Sequence, residues 1–128
     1  MKLDIGDMCF ACGQKNPIGL KLAFHLDGDE YVTTFQVRRE HQGWAGIAHG
    51  GLVATVLDET MTRFLWEKDI NSVTARLQVR YRHPIHVGDL LEIRGRIVRL
   101  RPPLIEMAAV ATANGVIVAE ATASSMKL

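Results

Sequence analysis

The run Gly43-Trp44-Ala45-Gly46-Ile47-Ala48-His49-Gly50-Gly51 leads into an apolar-periodic stretch that carries one acid, Asp58, well inside it. Gly50 and Gly51 have no side chain, so the backbone there can take unusual dihedrals and a ligand can come close to it. If a helix begins at this point, its first amides have no partner within the helix and sit at the positive end of its dipole. Such amides suit an oxygen that gains negative charge, as a polarised carbonyl does. A carboxylate farther along the same helix is a candidate catalytic group. The plainer alternatives are a glycine pair that only permits a tight turn and an acid that is only solvated.

Other chemistries recede. The serines are Ser72, Ser124 and Ser125, and no Gly-x-Ser-x-Gly elbow surrounds any of them. There is no phosphate-binding P-loop, dinucleotide fingerprint or His-Glu-x-x-His pair. Cys9 and Cys12 have the spacing of half a zinc site, but a closed site needs about four ligands and no second close pair of cysteines exists. His25 or His41 could contribute only by folding back, so no metal or other cofactor is expected. Arg76, Arg80, Arg82, Arg94, Arg96, Arg99 and Arg101 crowd two successive segments. Arginine's forked donors suit phosphates, and Arg76 and Arg82 are the candidates for that role, although a solvated sheet face explains the crowd equally well.

The elements that must position these groups follow from periodicity. Leu52, Val53, Val56, Leu57, Met61, Phe64 and Leu65 recur at the spacing of one helical face, which predicts a helix ending near Lys68. On that helix Asp58 lies at the margin of the apolar stripe. Val73, Ala75, Leu77, Val79 and Tyr81 alternate with Thr74, Arg76, Gln78, Arg80 and Arg82, the period of a strand with one buried face. Further strands are predicted over 20–26, 31–37, 90–100, 104–113 and 116–126. Asp27-Gly28 and Asn114-Gly115 are hairpin turn signals. Two strands, one long helix and four strands joined by short connections define an α+β fold with a largely antiparallel sheet able to wrap the lone helix. Residues 1–19 are expected to form an irregular arm and 20–128 a single domain.

The 15 basic and 14 acidic side chains leave a formal charge of +1, which gives no general reason to expect nucleic acid as a partner. The first residues lack an apolar signal core, and no apolar run approaches the roughly 20 residues that cross a bilayer. A soluble, cytoplasmic protein without a membrane partner is the expectation.

The histidine, the two glycines and a carboxylate nine positions after the histidine, within HQGWAGIAHGGLVATVLDETM, resemble the PaaI-like acyl-CoA thioesterases of the hotdog superfamily. CFACGQKNPIGLKL, residues 9–22, is similar to an N-terminal signature in one branch of such proteins. The resemblance implies a hotdog fold in which two chains join into one continuous sheet, hence a homodimer or homotetramer, and an acyl-CoA substrate. By position it implies Asp58 as nucleophile or general base, the Gly50 amide as the group polarising the thioester carbonyl, and His49 as the holder of that turn. It also implies Thr74 as the residue orienting water, reaching the site from the partner subunit. Where several relatives place an asparagine six residues before the histidine this chain has Gly43, so either the adjacent Gln42 substitutes or that contact is lost. Gly51 and Met61 are further candidates for substrate contact, with Phe64, Leu65 and Trp66 beside Met61 near the acyl end. The alternatives are a hotdog hydratase or dehydratase using His41 with Asp58 or Glu59, and a protein that binds acyl-CoA without turning it over. His86, also in a loop, is a weaker candidate for ligand contact.

Overall fold

A computed structural model of the chain describes residues 2–128. In chain order the elements are β1 (Phe24–Asp27), β2 (Glu30–Gln36), a short 3-10 turn (Arg39–His41), α1 (Gly50–Glu67), β3 (Ser72–Tyr81), β4 (Leu90–Arg101), β5 (Leu104–Ala113) and β6 (Val116–Lys127). The strands form one six-stranded antiparallel sheet in the order β1-β2-β4-β5-β6-β3, and α1 packs on one face of it. This is the α+β, hotdog arrangement expected from the sequence.

The turns form where their residues dictate. Asn114 and Gly115 both have positive φ, 53° and 77°, between the paired residues Ala113 and Val116, as a two-residue hairpin of this twist requires. Gly28 takes φ 63° between the paired Asp27 and Glu30. The apolar stripe of α1 is buried as its period predicts. Val53, Val56, Leu57, Phe64 and Leu65 meet Leu91, Ile93, Ile105 and Met107 of β4 and β5 in one core. The helix packs tightly on the sheet at Gly95, where an added Cβ would stand 3.1 Å from Cγ2 of the buried Thr60.

Two expectations change. The strand expected from Leu20 begins only at Phe24, because the amides of Leu20 and Leu22 bond to the carbonyls of Phe10 and Ala11 in the arm. Met61, a candidate for substrate contact, is 0% exposed and packs within the core of the single chain. The second change concerns β3. Its apolar face is only partly covered, with Val73, Leu77 and Tyr81 exposed, because β3 is an edge strand with a neighbour on one side alone. A register shift between Thr74 and Arg76 also breaks its alternation. The bulge turns Thr74 to the helix side, the side that Val79 also packs against, although five positions separate them.

Candidate active site

The helix begins at Gly50, and His49 caps it: the His49 Nδ1 accepts from Gly51 N at 2.9 Å. That acceptor role places the proton of the neutral ring on Nε2. The two glycines have separate reasons. A Cβ on Gly51 would stand 3.0 Å from Cε1 and 3.1 Å from Nδ1 of the His49 ring, so the cap closes over a residue without a side chain. A Cβ on Gly50 would stand 3.4 Å from the Tyr81 hydroxyl, which donates to Gly50 O at 2.5 Å. With Gly51 N taken by His49, the first amide left over is that of Gly50, for which the described residues offer no acceptor. Gly51 is therefore part of the cap and not a free donor.

The loop before the helix is stapled in place. Gly43 N bonds Ile47 O, Ala48 N bonds Ile85 O, Val87 N bonds Gly46 O, and His49 N bonds His41 O. Gln42 Oε1 accepts from Gly46 N at 3.0 Å, so Gln42 braces this loop from within. Beside it opens a cavity of about 370 Å³ lined by Gly50, Val53, Tyr81 and Arg82 with the apolar Ile47 and Ile85.

Asp58 lies farther along α1, half-buried, and Thr74 Oγ1 donates to its Oδ1 at 2.7 Å. Burial raises the Asp58 pKa above the ordinary carboxylate value, and the Thr74 hydrogen bond opposes that rise. Eight residues of helix separate Asp58 from Gly50, about 12 Å at 1.5 Å per residue. Asp58 does not line the Gly50 cavity. Within one chain the acid and the free amide therefore stand too far apart to meet on one carbonyl. Thr74, which the resemblance brings from a partner, here serves the Asp58 of its own chain.

The other candidates fall elsewhere. Arg76 faces outward with Gln78 in a groove on the far side of the sheet, whereas Arg82 lines the Gly50 cavity and is paired through two nitrogens with Glu120 Oε1. Trp66 donates to Leu3 O and carries Lys2 over its ring, so it anchors the arm. His41 is buried against Phe35, and its Nδ1 accepts from Arg38 N at 2.9 Å. Burial and the nearby Arg38 hold its pKa below the ordinary histidine value. A ring so engaged gives the hydratase alternative no support. The His86 backbone bridges to Ile47, and its side chain lies 3.9 Å from the Asp89 carboxylate.

Sequence reasoning misses the contacts of two groups. Tyr81 reads only as an apolar strand position, yet its hydroxyl reaches the first turn of α1; its place on the helix side of β3 is the available signal. Glu59, one residue past Asp58, meets Cys9 and Cys12 of the arm, a contact across 50 residues that no local pattern announces. Burial, the Glu59 charge and the neighbouring thiol push the Cys12 pKa up to about 12, and burial raises that of Glu59.

Residues 45–116, which span the end of the loop, α1 and β3 to β5, match the model of the thioesterase superfamily. The chain belongs to the thioesterase superfamily. Within it, the resemblance to the PaaI-like hotdog proteins is borne out by solved structures. The phenylacetic acid degradation protein PaaI of Thermus thermophilus, solved as a point variant, is 26% identical with a TM-score of 0.76 over 85% of this chain and 95% of that one. A thioesterase superfamily protein called RHA08564 is 20% identical with a TM-score of 0.86, over 94% of this chain and 60% of that longer one. A hypothetical thioesterase from Streptococcus pneumoniae TIGR4, solved with coenzyme A, is 23% identical with a TM-score of 0.78, over 84% of this chain and 85% of that one. No curated protein matches the chain. The thioesterase superfamily member described here has no helix long and apolar enough to cross a membrane among the described residues.

Proposed function

We propose that this protein hydrolyses an acyl-CoA thioester at a site shared between two copies of the chain. One copy supplies Asp58 and Thr74, and the other supplies the Gly50 amide and the cavity beside it. The observation that carries this is the Thr74–Asp58 hydrogen bond of 2.7 Å, which aims a half-buried carboxylate from α1 while the free Gly50 amide waits about 12 Å away on the same helix. Two helices lying antiparallel across a two-fold axis would bring each acid opposite its partner's first turn. The exposed apolar residues Val73, Leu77 and Tyr81 on the edge strand β3 suit that assembly, since an unpaired edge of this kind accepts another strand.

In the reaction, the substrate carbonyl oxygen accepts from Gly50 N–H and gains charge there as the nucleophile adds to the carbonyl carbon; the C–S bond breaks as that charge returns to re-form the carbonyl. Asp58 either takes the proton of the attacking water or attacks the carbonyl itself, and Thr74 holds its carboxylate in line. By the first route the proton passes on to the departing thiolate; by the second an acyl–aspartyl anhydride forms and water then cleaves it, so both routes end at the free acid and the coenzyme A thiol. A thioester is already activated, so a positioned carboxylate and one amide donor suffice without a metal. Arg82, which lines that cavity, is the candidate for contact with a coenzyme A phosphate. Support also comes from the coenzyme A in the S. pneumoniae relative. That protein has been solved, too, with an aspartate-to-alanine and a threonine-to-alanine change 16 positions apart, the separation of Asp58 and Thr74 here.

Thiol release from short, long and aromatic acyl-CoAs by wild type and Asp58→Ala tests this function. Wild type should turn over at least one class, and the folded variant should lose nearly all of that activity. A wild type that is stabilised by acyl-CoA yet releases no thiol would point to binding without turnover.

A further inference from the structure

The irregular arm carries a turn whose purpose the thioesterase chemistry leaves unexplained. Gly13 N bonds Cys9 O at 2.8 Å and Lys15 N bonds Asp7 O at 3.0 Å. A Cβ on Gly13 would stand 2.6 Å from Asp7 O and 2.7 Å from Cys9 O, so only glycine lets this turn close. The closed turn delivers both cysteine sulfurs to one side chain of α1. Cys9 Sγ lies 3.8 and 3.9 Å from the two carboxylate oxygens of Glu59. One donor atom from each of Cys9, Cys12 and Glu59 lies within 4.8 Å of the other two.

We propose that Cys9, Cys12 and Glu59 bind one zinc-class divalent cation, which ties the arm to the central helix. A sulfur about 2.3 Å and an oxygen about 2.0–2.2 Å from one tetrahedral ion stand roughly 3.5 Å apart, so the Cys9–Glu59 spacing of 3.8 Å needs to contract by only a few tenths of an ångström. Cys9 Sγ is nearly equidistant from both Glu59 oxygens, and a carboxylate presented with both oxygens can supply a fourth donor beside the two sulfurs. The charges also balance. Two thiolates and one carboxylate carry −3, a divalent ion leaves −1, and the Arg63 guanidinium, which lines the same cavity as Cys12, brings the neighbourhood to neutrality. On binding, two thiol protons leave to solvent and two metal–sulfur bonds form, with no change of oxidation state. Thiolate sulfur favours zinc over the hard cations that prefer all-oxygen sites. Glu59 and Asp58 are neighbours in sequence but serve different partners, the thiols and Thr74 respectively, so the ion holds the arm and stands apart from the proposed chemistry.

The full chain, purified reduced and without chelator, is assayed for retained zinc; the same chain stripped of metal is then titrated with cobalt(II) as a probe. About one zinc per chain is expected, together with a thiolate-to-cobalt charge-transfer band that equimolar zinc removes. Cys9→Ser and Glu59→Gln should each weaken cobalt binding at least tenfold while keeping the wild-type circular dichroism. Zinc should raise the Tm of the stripped wild type, and a chelator should reverse that rise. These readouts are independent of thioester turnover. A reduced wild type that retains no zinc and gives no charge-transfer band would overturn the proposal, as would a band that persists unchanged in Cys9→Ser. If a variant fails to fold, the wild-type zinc content and cobalt band decide alone.

Discussion

Thr74 Oγ1 donates to Asp58 Oδ1 across 2.7 Å, joining a bulged edge strand to the middle of the central helix. The bond fixes the direction of a carboxylate that burial makes costly to ionise.

Thr74→Val should therefore leave the fold intact and lower kcat roughly 10- to 100-fold with little change in KM. A hydrogen bond to a charged group is worth about 1.5–3 kcal/mol, and about 1.4 kcal/mol is a factor of ten in rate. Steady-state kinetics on the best acyl-CoA substrate checks this. Unchanged kcat would mean that something other than Thr74 orients the acid.

Gly50→Pro is a selective probe of the free amide. Proline deletes one N–H, is favoured at the first position of a helix, and requires an extended residue before it. His49 already has φ −65° and ψ 126°, and the Tyr81 hydroxyl leaves 3.4 Å for a Cβ. The variant should match the wild-type Tm within a few degrees yet lose about 10²- to 10³-fold in kcat, the usual effect of removing one oxyanion donor. Full activity in a folded Gly50→Pro protein would remove that amide from the mechanism.

His41 gives a stability prediction. Its folded pKa is depressed, by burial first and by Arg38 second, and its Nδ1 must stay unprotonated to accept from Arg38 N. A depressed folded pKa contributes stability that is present above the ordinary histidine value and is lost as pH falls through the folded value. The wild-type Tm should then decline as pH drops from about 7 to about 5. His41→Gln, though less stable at neutral pH, should show a shallower decline over that window. Parallel slopes by thermal unfolding would assign the acid sensitivity to other groups.

What can be read from the sequence is local. Asn114-Gly115 and Asp27-Gly28 fix their turns through backbone preferences, and the spacing from Leu52 to Leu65 fixes the buried face of α1. The His49-Gly50-Gly51 start is legible because a cap and two missing side chains are local requirements. What escapes depends on distant partners. The bulge beside Ala75 turns Thr74 toward the helix against the apparent alternation, and no residue type there announces it. Leu20 and Leu22 look like strand residues, but their amides are claimed by Phe10 and Ala11.

The shared site is tested most directly by mixing subunits. Asp58→Ala and Gly50→Pro chains, each nearly inactive alone, are unfolded together in equal amounts, refolded and assayed for thiol release. If acid and amide come from different copies, random pairing puts both lesions in one of the two sites of each mixed dimer and leaves the other site intact. With half of the dimers mixed, activity should return to about a quarter of that of wild type refolded in the same way. Activity that stays at the level of the separate variants, in a sample shown to contain mixed dimers, would contradict a site built from two chains.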